Sequence, residues 1–574
     1  MSTIAEVTRR HFLAYFSSLG LSGTLFPGTL YALHAQEGGP ITVKTIEAAE
    51  KLVGLSFTPE QREMMVEDLN ERLEDYEALR KVSLPNEVAP ALRLDLAYSG
   101  QYPPARSQSD YLHWNPPERK RPAGEEDLAF LTVSELSGLL KRREITSTEL
   151  TQLCLKRLKA YNPLLKAVIT FTEERALRQA EQADKELDAG HWRGPLHGIP
   201  WGAKDLLAVK GYPTTWGAMP YKEQVIDEDA TVVQKLDEAG AILVAKLTLG
   251  ALAWGDVWFG GKTRNPWNPE QGSSGSSAGP GSAVAAGLVP FAIGSETLGS
   301  IVSPSTRNGV TGHRPTFGRV SRKGAMALSW SMDKLGPMAR SAEDCALIFS
   351  AIHGYDPADP TTVEAAFHWA PAMDVRGLRV GYLAEAFEEE YANQKADLET
   401  LEILRKELGV TLHPITLPDQ FPVSALLLIL EAEAAAAFDE LLRSGEVEQM
   451  VRQGKNAWPH VFRVARFIPA VEYINANRIR TLLMQAMTDT LRDIDVFISP
   501  SFRGGTLRIT NLTGHPAVVV PNAFHPVKDK PLSPYRQPGS ITFVGNLFRD
   551  EAALALAHAY QQVTDFHRRR PPLP

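Results

Sequence analysis

Residues 271–290 read QGSSGSSAGPGSAVAAGLVP, five serines and several glycines leading into an Ala/Val run with helical character. Glycine permits close backbone approach and positive φ, and a serine hydroxyl both donates and accepts hydrogen bonds. Such a stretch weakens helix and strand alike, yet it can set hydroxyls against other backbone in a site. Two more segments offer matching chemistry. Residues 194–205, GPLHGIPWGAKD, hold a lone lysine, Lys204, after ten uncharged residues. Residues 294–301, GSETLGSI, form a second small-residue loop after the apolar residues 289–293. A serine hydroxyl is a weak nucleophile near neutral pH and needs a base beside it. Lysine becomes that base when burial lowers its pKa.

Two simpler readings of the serine-rich stretch fail on context. A solvated linker does not belong between two apolar segments of a continuous α/β pattern. Residues 275–279 do spell G-x-S-x-G, but a nucleophile elbow follows a buried strand, and residues 265–270 are NPWNPE.

The segments GPLHGIPWGAKDL, GSSGSSAGPGSAVAAGLVPFAIGSETLGSI and GHRPTFGRVS, in that order, resemble the amidase signature family. So do DATVV at 229–233, TRNPW at 263–267 and MDKLGP at 332–337. The similarity is close over residues 127–340 and resumes at 495–500, 511–521 and 539–543. The resemblance implies a Ser–cis-Ser–Lys triad. Aligning AVAAG (283–287) without gaps puts the cis-serine at Ser276, the nucleophile 24 residues later at Ser300 and the lysine at Lys204. It further implies that Ser276 relays a proton from Ser300 to Lys204. The backbone N–H groups of Thr297, Leu298, Gly299 and Ser300 would form an oxyanion hole, commonly worth about 3–4 kcal/mol per donor.

Ser277 and Asp205 are expected to support the triad through hydrogen bonds. His197 and His515 precede Gly198 and Pro516 in turn-like contexts and are read as structural. Trp201, Trp216, Trp254 and Trp258 either line a pocket or pack in the core.

The implied reaction is hydrolysis of a carboxylic amide through a Ser300 acyl-enzyme, and an ester or carbamate would suit the same apparatus. Two alternatives stand beside it: the A-type component of a tRNA-dependent amidotransferase, and a non-catalytic binding protein on the same scaffold. No HExxH, CxxC or GxGxxG occurs, so no metal or cofactor is expected. Low charge around the triad favours an apolar or aromatic acyl group.

The chain departs from the family pattern in several places. Where Asp-x-Gly-Gly-Ser and Ile-Arg are common, it has Glu296-Thr297-Leu298-Gly299-Ser300 and Ile301-Val302. Leu298 adds bulk beside the oxyanion loop, and Val302 removes a cation. The usual Ser-Ser-Gly-Gly becomes Ser276-Ser277-Ala278-Gly279, followed by Pro280. None of these deletes a triad member.

The elements that must position these groups follow from patterning. Residues 45–55 and 58–81 read as helices, the second opened by Thr58-Pro59-Glu60-Gln61 as N-cap, N1 proline and capping-box Gln. Met65, Leu69, Leu73, Tyr76 and Leu79 give it one apolar face. A Pro-rich linker spans 102–121. Helices follow at 131–142 and 146–161, the latter with the capping box Thr146…Glu149. A strand is expected at 167–171 and a helix at 173–189, with further strands at 241–245 and 497–499. Alternating strands and helices predict an α/β fold. The resemblance specifies it as a large twisted mixed β-sheet covered by helices on both faces, and the helical pattern before the linker reads as an N-terminal helical extension. The organisation reads as 1–35, 36–125 and 126–574, with 354–480 variable and pocket-shaping.

At 574 residues and a formal charge of −8, with no long basic block, the chain has no electrostatic footprint for nucleic acid. Cys154 and Cys345 read as buried hydrophobes. A small-molecule amide is the expected partner, and a homodimer is left open. Residues 1–35 pair Arg9-Arg10 with a weakly apolar, charge-free run from Phe12 to Ala35, which resembles a twin-arginine export signal. That implies a periplasmic or exported protein with no stable membrane span once the signal is removed. A membrane anchor or an ordinary first helix of a cytoplasmic protein are the alternatives, although Gly, Ser and Pro make the run a poor span.

Overall fold

The computed structural model describes residues 40–84, 90–92, 110–528 and 530–573. The expected export signal therefore lies outside the described residues, as do residues 102–109 of the Pro-rich linker. Among the described residues, no helix is long and apolar enough to cross a membrane.

Capping chemistry fixes several helix starts. Helices α1 (Val43–Val53) and α2 (Pro59–Arg80) form the N-terminal extension. Thr58 Oγ1 accepts from Gln61 N, and Gln61 Oε1 accepts from Thr58 N at 3.0 Å, the reciprocal box that the sequence specifies. Met65, Leu69, Tyr76 and Leu79 are buried, whereas Leu73 is 41% exposed and leaves the expected apolar face. Within the linker, Tyr111 and Leu112 pair in parallel with His368 and Trp369.

Next come α3 (Val133–Lys141) and α4 (Ser147–Leu165). Only half of the Thr146 capping box forms. Thr146 Oγ1 accepts from Glu149 N at 3.0 Å, but the Glu149 carboxylate turns to Arg121.

One eleven-stranded sheet carries the rest. Its strands are β1 (Val168–Phe171), β2 (Pro200–Lys204), β3 (Ile242–Leu247), β4 (Phe291–Glu296), β5 (Thr311–Arg314), β6 (Lys334–Ala339), β7 (Val380–Tyr382), β8 (Leu412–Pro414), β9 (Val496–Pro500), β10 (Ala517–Pro526) and β11 (Arg536–Gly545). The order across the sheet is β8-β7-β9-β11-β10-β5-β6-β4-β2-β3-β1. It is mixed: β2 lies parallel to both β3 and β4, while β4–β6, β6–β5 and β5–β10 are antiparallel. Strands β2, β3 and β4 are buried end to end, as apolar strands covered on both faces must be.

Parallel pairing of β2 with β4, in register Ala203↔Ile293, brings both carboxyl ends to one rim. That rim is where Lys204 and the 297–300 loop emerge. Helix α5 (Ala278–Ala285) follows the serine-rich stretch, and α6 (Val302–Asn308) follows Ser300. Further along the chain, α7 (Leu428–Ala437), α8 (Trp458–Ala465) and α9 (Ala470–Thr490) pack beneath α2, burying Tyr76 and Leu79 with Leu428, Ile429 and Leu483.

Candidate active site

Lys204 ends β2 with its side chain wholly buried. Its Nζ lies 2.8 Å from Ser276 Oγ, 2.8 Å from Ser295 Oγ and 3.1 Å from Ser277 Oγ. It also donates to Ser295 O at 3.4 Å, and among the described residues no carboxylate oxygen is bonded to it. Burial pushes the lysine well below its usual value of 10.5, against the more distant pull of Asp333 and Glu296. A neutral amine among hydroxyls is the form that can take a proton.

The serine-rich loop is threaded against other backbone, which its glycines allow. The Gly275–Ser276 peptide is cis. A Cβ on Gly275 would sit 1.8 Å from Gly255 O, and one on Gly279 would sit 2.5 Å from both Ala167 O and Thr248 N. Serine hydroxyls and backbone groups tie the loop down: Ser274 Oγ to Ser303 Oγ at 2.7 Å, and Gly279 N to Thr248 O at 2.9 Å. Ser277 N donates to Ser300 O at 3.2 Å, joining the two loops. Ser277 stands at the N-cap of α5 but does not cap it. Its hydroxyl bridges Lys204 and the Ser295 backbone, accepting from Ser295 N and donating to Ser295 O, both at 3.1 Å. Pro280 falls in the first turn of α5, where its missing N–H would have no helical partner in any case.

Glu296 organises the opposite loop. Its Oε2 accepts from Ile301 N at 2.8 Å and Val302 N at 2.9 Å, and its Oε1 accepts from Arg314 at 2.7 Å and Asn511 at 2.8 Å. Burial raises this carboxyl, but Arg314, the Val302 N–H and Asn511 outweigh it and hold it at about 2. Thr297 Oγ1 donates to Asp333 Oδ1 at 2.5 Å. Gly299 adopts φ +84. The N–H groups of Leu298, Gly299 and Ser300 make no hydrogen bond to another described backbone group, so they remain available to a ligand oxygen.

Ser300, Leu298, Gly299 and Gly275 line one cavity of about 480 Å³. Leu328, Leu430, Trp458, Val461, Phe502 and Leu507 make its apolar walls. Of the four tryptophans singled out, Trp254 alone lines this cavity. Trp201 stacks on Phe291 in the core, Trp216 packs against Tyr221 and Phe438, and Trp258 against Phe259.

Asp205 requires a correction. It bonds neither Lys204 nor the serines; it pairs with buried Lys246 at 2.7 Å and accepts from Thr215 N at 2.9 Å. Successive strand residues point to opposite faces, so a neighbour of Lys204 in sequence is turned away from it in space. Ser277 Oγ does lie 3.1 Å from Lys204 Nζ. His197 lies 3.2 Å from Glu186 and His515 2.7 Å from Thr513, neither in contact with Lys204 or Ser276. Ser295 was missed: it lies inside a strand, and only its period-two placement relative to Ile293 could have signalled it.

Buried lysine and converging serine hydroxyls at the carboxyl rim of a mixed sheet make this an α/β protein with a serine–lysine site. The family model described as Amidase matches residues 149–554, and the chain belongs to that family. It is 34% identical to the A-type component of the glutamyl-tRNA(Gln) amidotransferase of Roseiflexus sp. (strain RS-1), over 77% of this chain and 98% of the relative. The corresponding protein of Moorella thermoacetica is 33% identical, over 78% and 99%. Among solved structures, the native peptide amidase of Stenotrophomonas maltophilia superposes with a TM-score of 0.67 at 29% identity, covering 77% of this chain and 98% of that one.

Proposed function

We propose that this chain is an amidase that hydrolyses a carboxylic amide through a Ser300 acyl-enzyme. The observation that carries the reading is Lys204: fully buried, depressed in pKa, and 2.8 Å from the Ser276 hydroxyl. In the proposed step Ser300 Oγ bonds to the amide carbonyl carbon while its proton passes to Ser276, whose own proton passes to Lys204. The carbonyl oxygen becomes negative and is met by the N–H groups of Thr297, Leu298, Gly299 and Ser300. The C–N bond then breaks, with the proton returned to the departing amine, and water releases the acid by the reverse relay. The apolar cavity favours an aromatic or aliphatic acyl group. Fluorophosphonate should label Ser300 and fail in Ser300→Ala. An unlabelled wild-type chain would instead favour a binding protein on this scaffold.

A second reading, the A-type component of an amidotransferase, draws on the named function of the relatives above. Ammonia transfer to charged tRNA after addition of partner subunits would establish it, and hydrolysis of free amides by the lone chain would favour the first reading. The two part on compartment as well. We keep the export reading of residues 1–35 for the amidase: Arg9→Lys/Arg10→Lys should leave the protein cytoplasmic and uncleaved, and normal export of that variant would refute the signal.

A further inference from the structure

The cavity over Ser300 has one charged wall residue, Glu431 on α7. Its Oε2 accepts from Arg72, which reaches in from α2 of the N-terminal extension. Residues 59–80 lie outside the family match, so this contact is an addition to the shared fold. Arg72 keeps 11% of its side-chain surface and Glu431 24%. The same guanidinium donates to Asp75 Oδ2 at 3.0 Å. One positive charge is thus shared between two carboxylates, of which Glu431 alone lines this cavity. Glu431 Oε1 makes no hydrogen bond to another described residue.

Keeping a carboxylate at the wall of an apolar cavity is costly in lost hydration unless it is compensated. Burial accordingly raises this carboxyl, against the pull of Arg72. Arg72 compensates one oxygen and leaves the other free. In pockets of this kind, a few polar groups among apolar walls fix ligand orientation. Arg452, the cation stacked 5.7 Å from the Trp254 ring centre, is not among the residues lining the cavity.

Resting on the amidase reading, we propose that Glu431 selects amides whose apolar acyl part carries a primary ammonium group. The amide is held at Ser300, and the ammonium donates to Glu431 Oε1. Aliphatic or aromatic carbons between the two lie against Leu430, Trp254 and Trp458.

Equilibrium binding tests this without requiring turnover. Phenethylamine and its uncharged counterpart 2-phenylethanol are titrated calorimetrically into the full chain. The amine should bind about tenfold more tightly or better, the range expected of one charge-assisted hydrogen bond. That preference should fall to about one in Glu431→Gln. Should this variant fail to fold, Glu431→Gln/Arg72→Met removes the guanidinium together with its partner and should give the same loss. Equal affinities in the wild type, no binding of either molecule, or a preference that survives both variants would overturn the proposal. Failure of the amidase reading shows itself separately, as absent Ser300 labelling alongside an intact amine preference.

Discussion

At Lys204 a single nitrogen meets three hydroxyls and a carbonyl, and its charge state follows from burial outweighing the distant carboxylates Asp333 and Glu296. The protonated amine cannot accept from Ser276, so activity should rise with pH as Lys204 loses its proton. The apparent pKa should lie well below the roughly 10.4 of a free lysine. A pH–rate profile with no such limb below pH 9 would remove Lys204 as base. Lys204→Ala should lose at least about 100-fold in kcat with the fold intact. Ser276 and Lys204 act on one proton path, so Ser276→Ala/Lys204→Ala should be little worse than either single variant. Losses that multiply would mean two independent roles.

The loop before α5 works as an element because glycine is the only residue its closest approaches admit. At Gly275 the obstacle is Gly255 O, a backbone atom that cannot swing aside. Gly275→Ala should therefore displace Ser276, lower the melting temperature and abolish Ser300 labelling. Gly377→Ala, where a Cβ meets nothing within 4 Å, should leave both unchanged. The partner loop is held from the other side by Glu296. This explains why Val302 is tolerated where a cation is common in the family: its side chain is buried and its N–H, rather than its side chain, is used.

Over the whole molecule, burial leaves several histidines neutral well below their ordinary range: His515 at about 3, and His558 and His567 at about 4. Each folded-state pKa lies below the unfolded value near 6.5, so the unfolded chain takes up protons first as pH falls. Their contribution is full above pH 6.5 and is lost progressively below it. Asp344 and Asp397, raised by burial to about 7, act in the opposite sense over pH 4–7, since the folded state then holds the extra protons. A single substitution isolates one histidine. The stability advantage of wild type over His515→Gln at pH 7.5 should shrink by about 2 kcal/mol at pH 5, measured by denaturant unfolding. An advantage independent of pH would show that His515 keeps its ordinary pKa in the folded chain.

Local chemistry was legible in the sequence. Thr58 and Thr146 cap the helices they precede, because a cap depends on three or four consecutive residues. Alternating strand and helix patterns predicted the α/β class, and the family resemblance pointed to Lys204 beside Ser276. Tertiary structure decided what depends on strand order and distant packing. Ser295 joins Lys204 only because β2 and β4 are parallel neighbours in one register. Asp205 turns to Lys246 because strand faces alternate, and Trp254 alone of four tryptophans reaches the cavity. Arg72 and Glu431 stand 359 positions apart in the chain. Their pairing follows from α2 packing over α8 and α9, a contact set by surfaces that no short window of sequence contains.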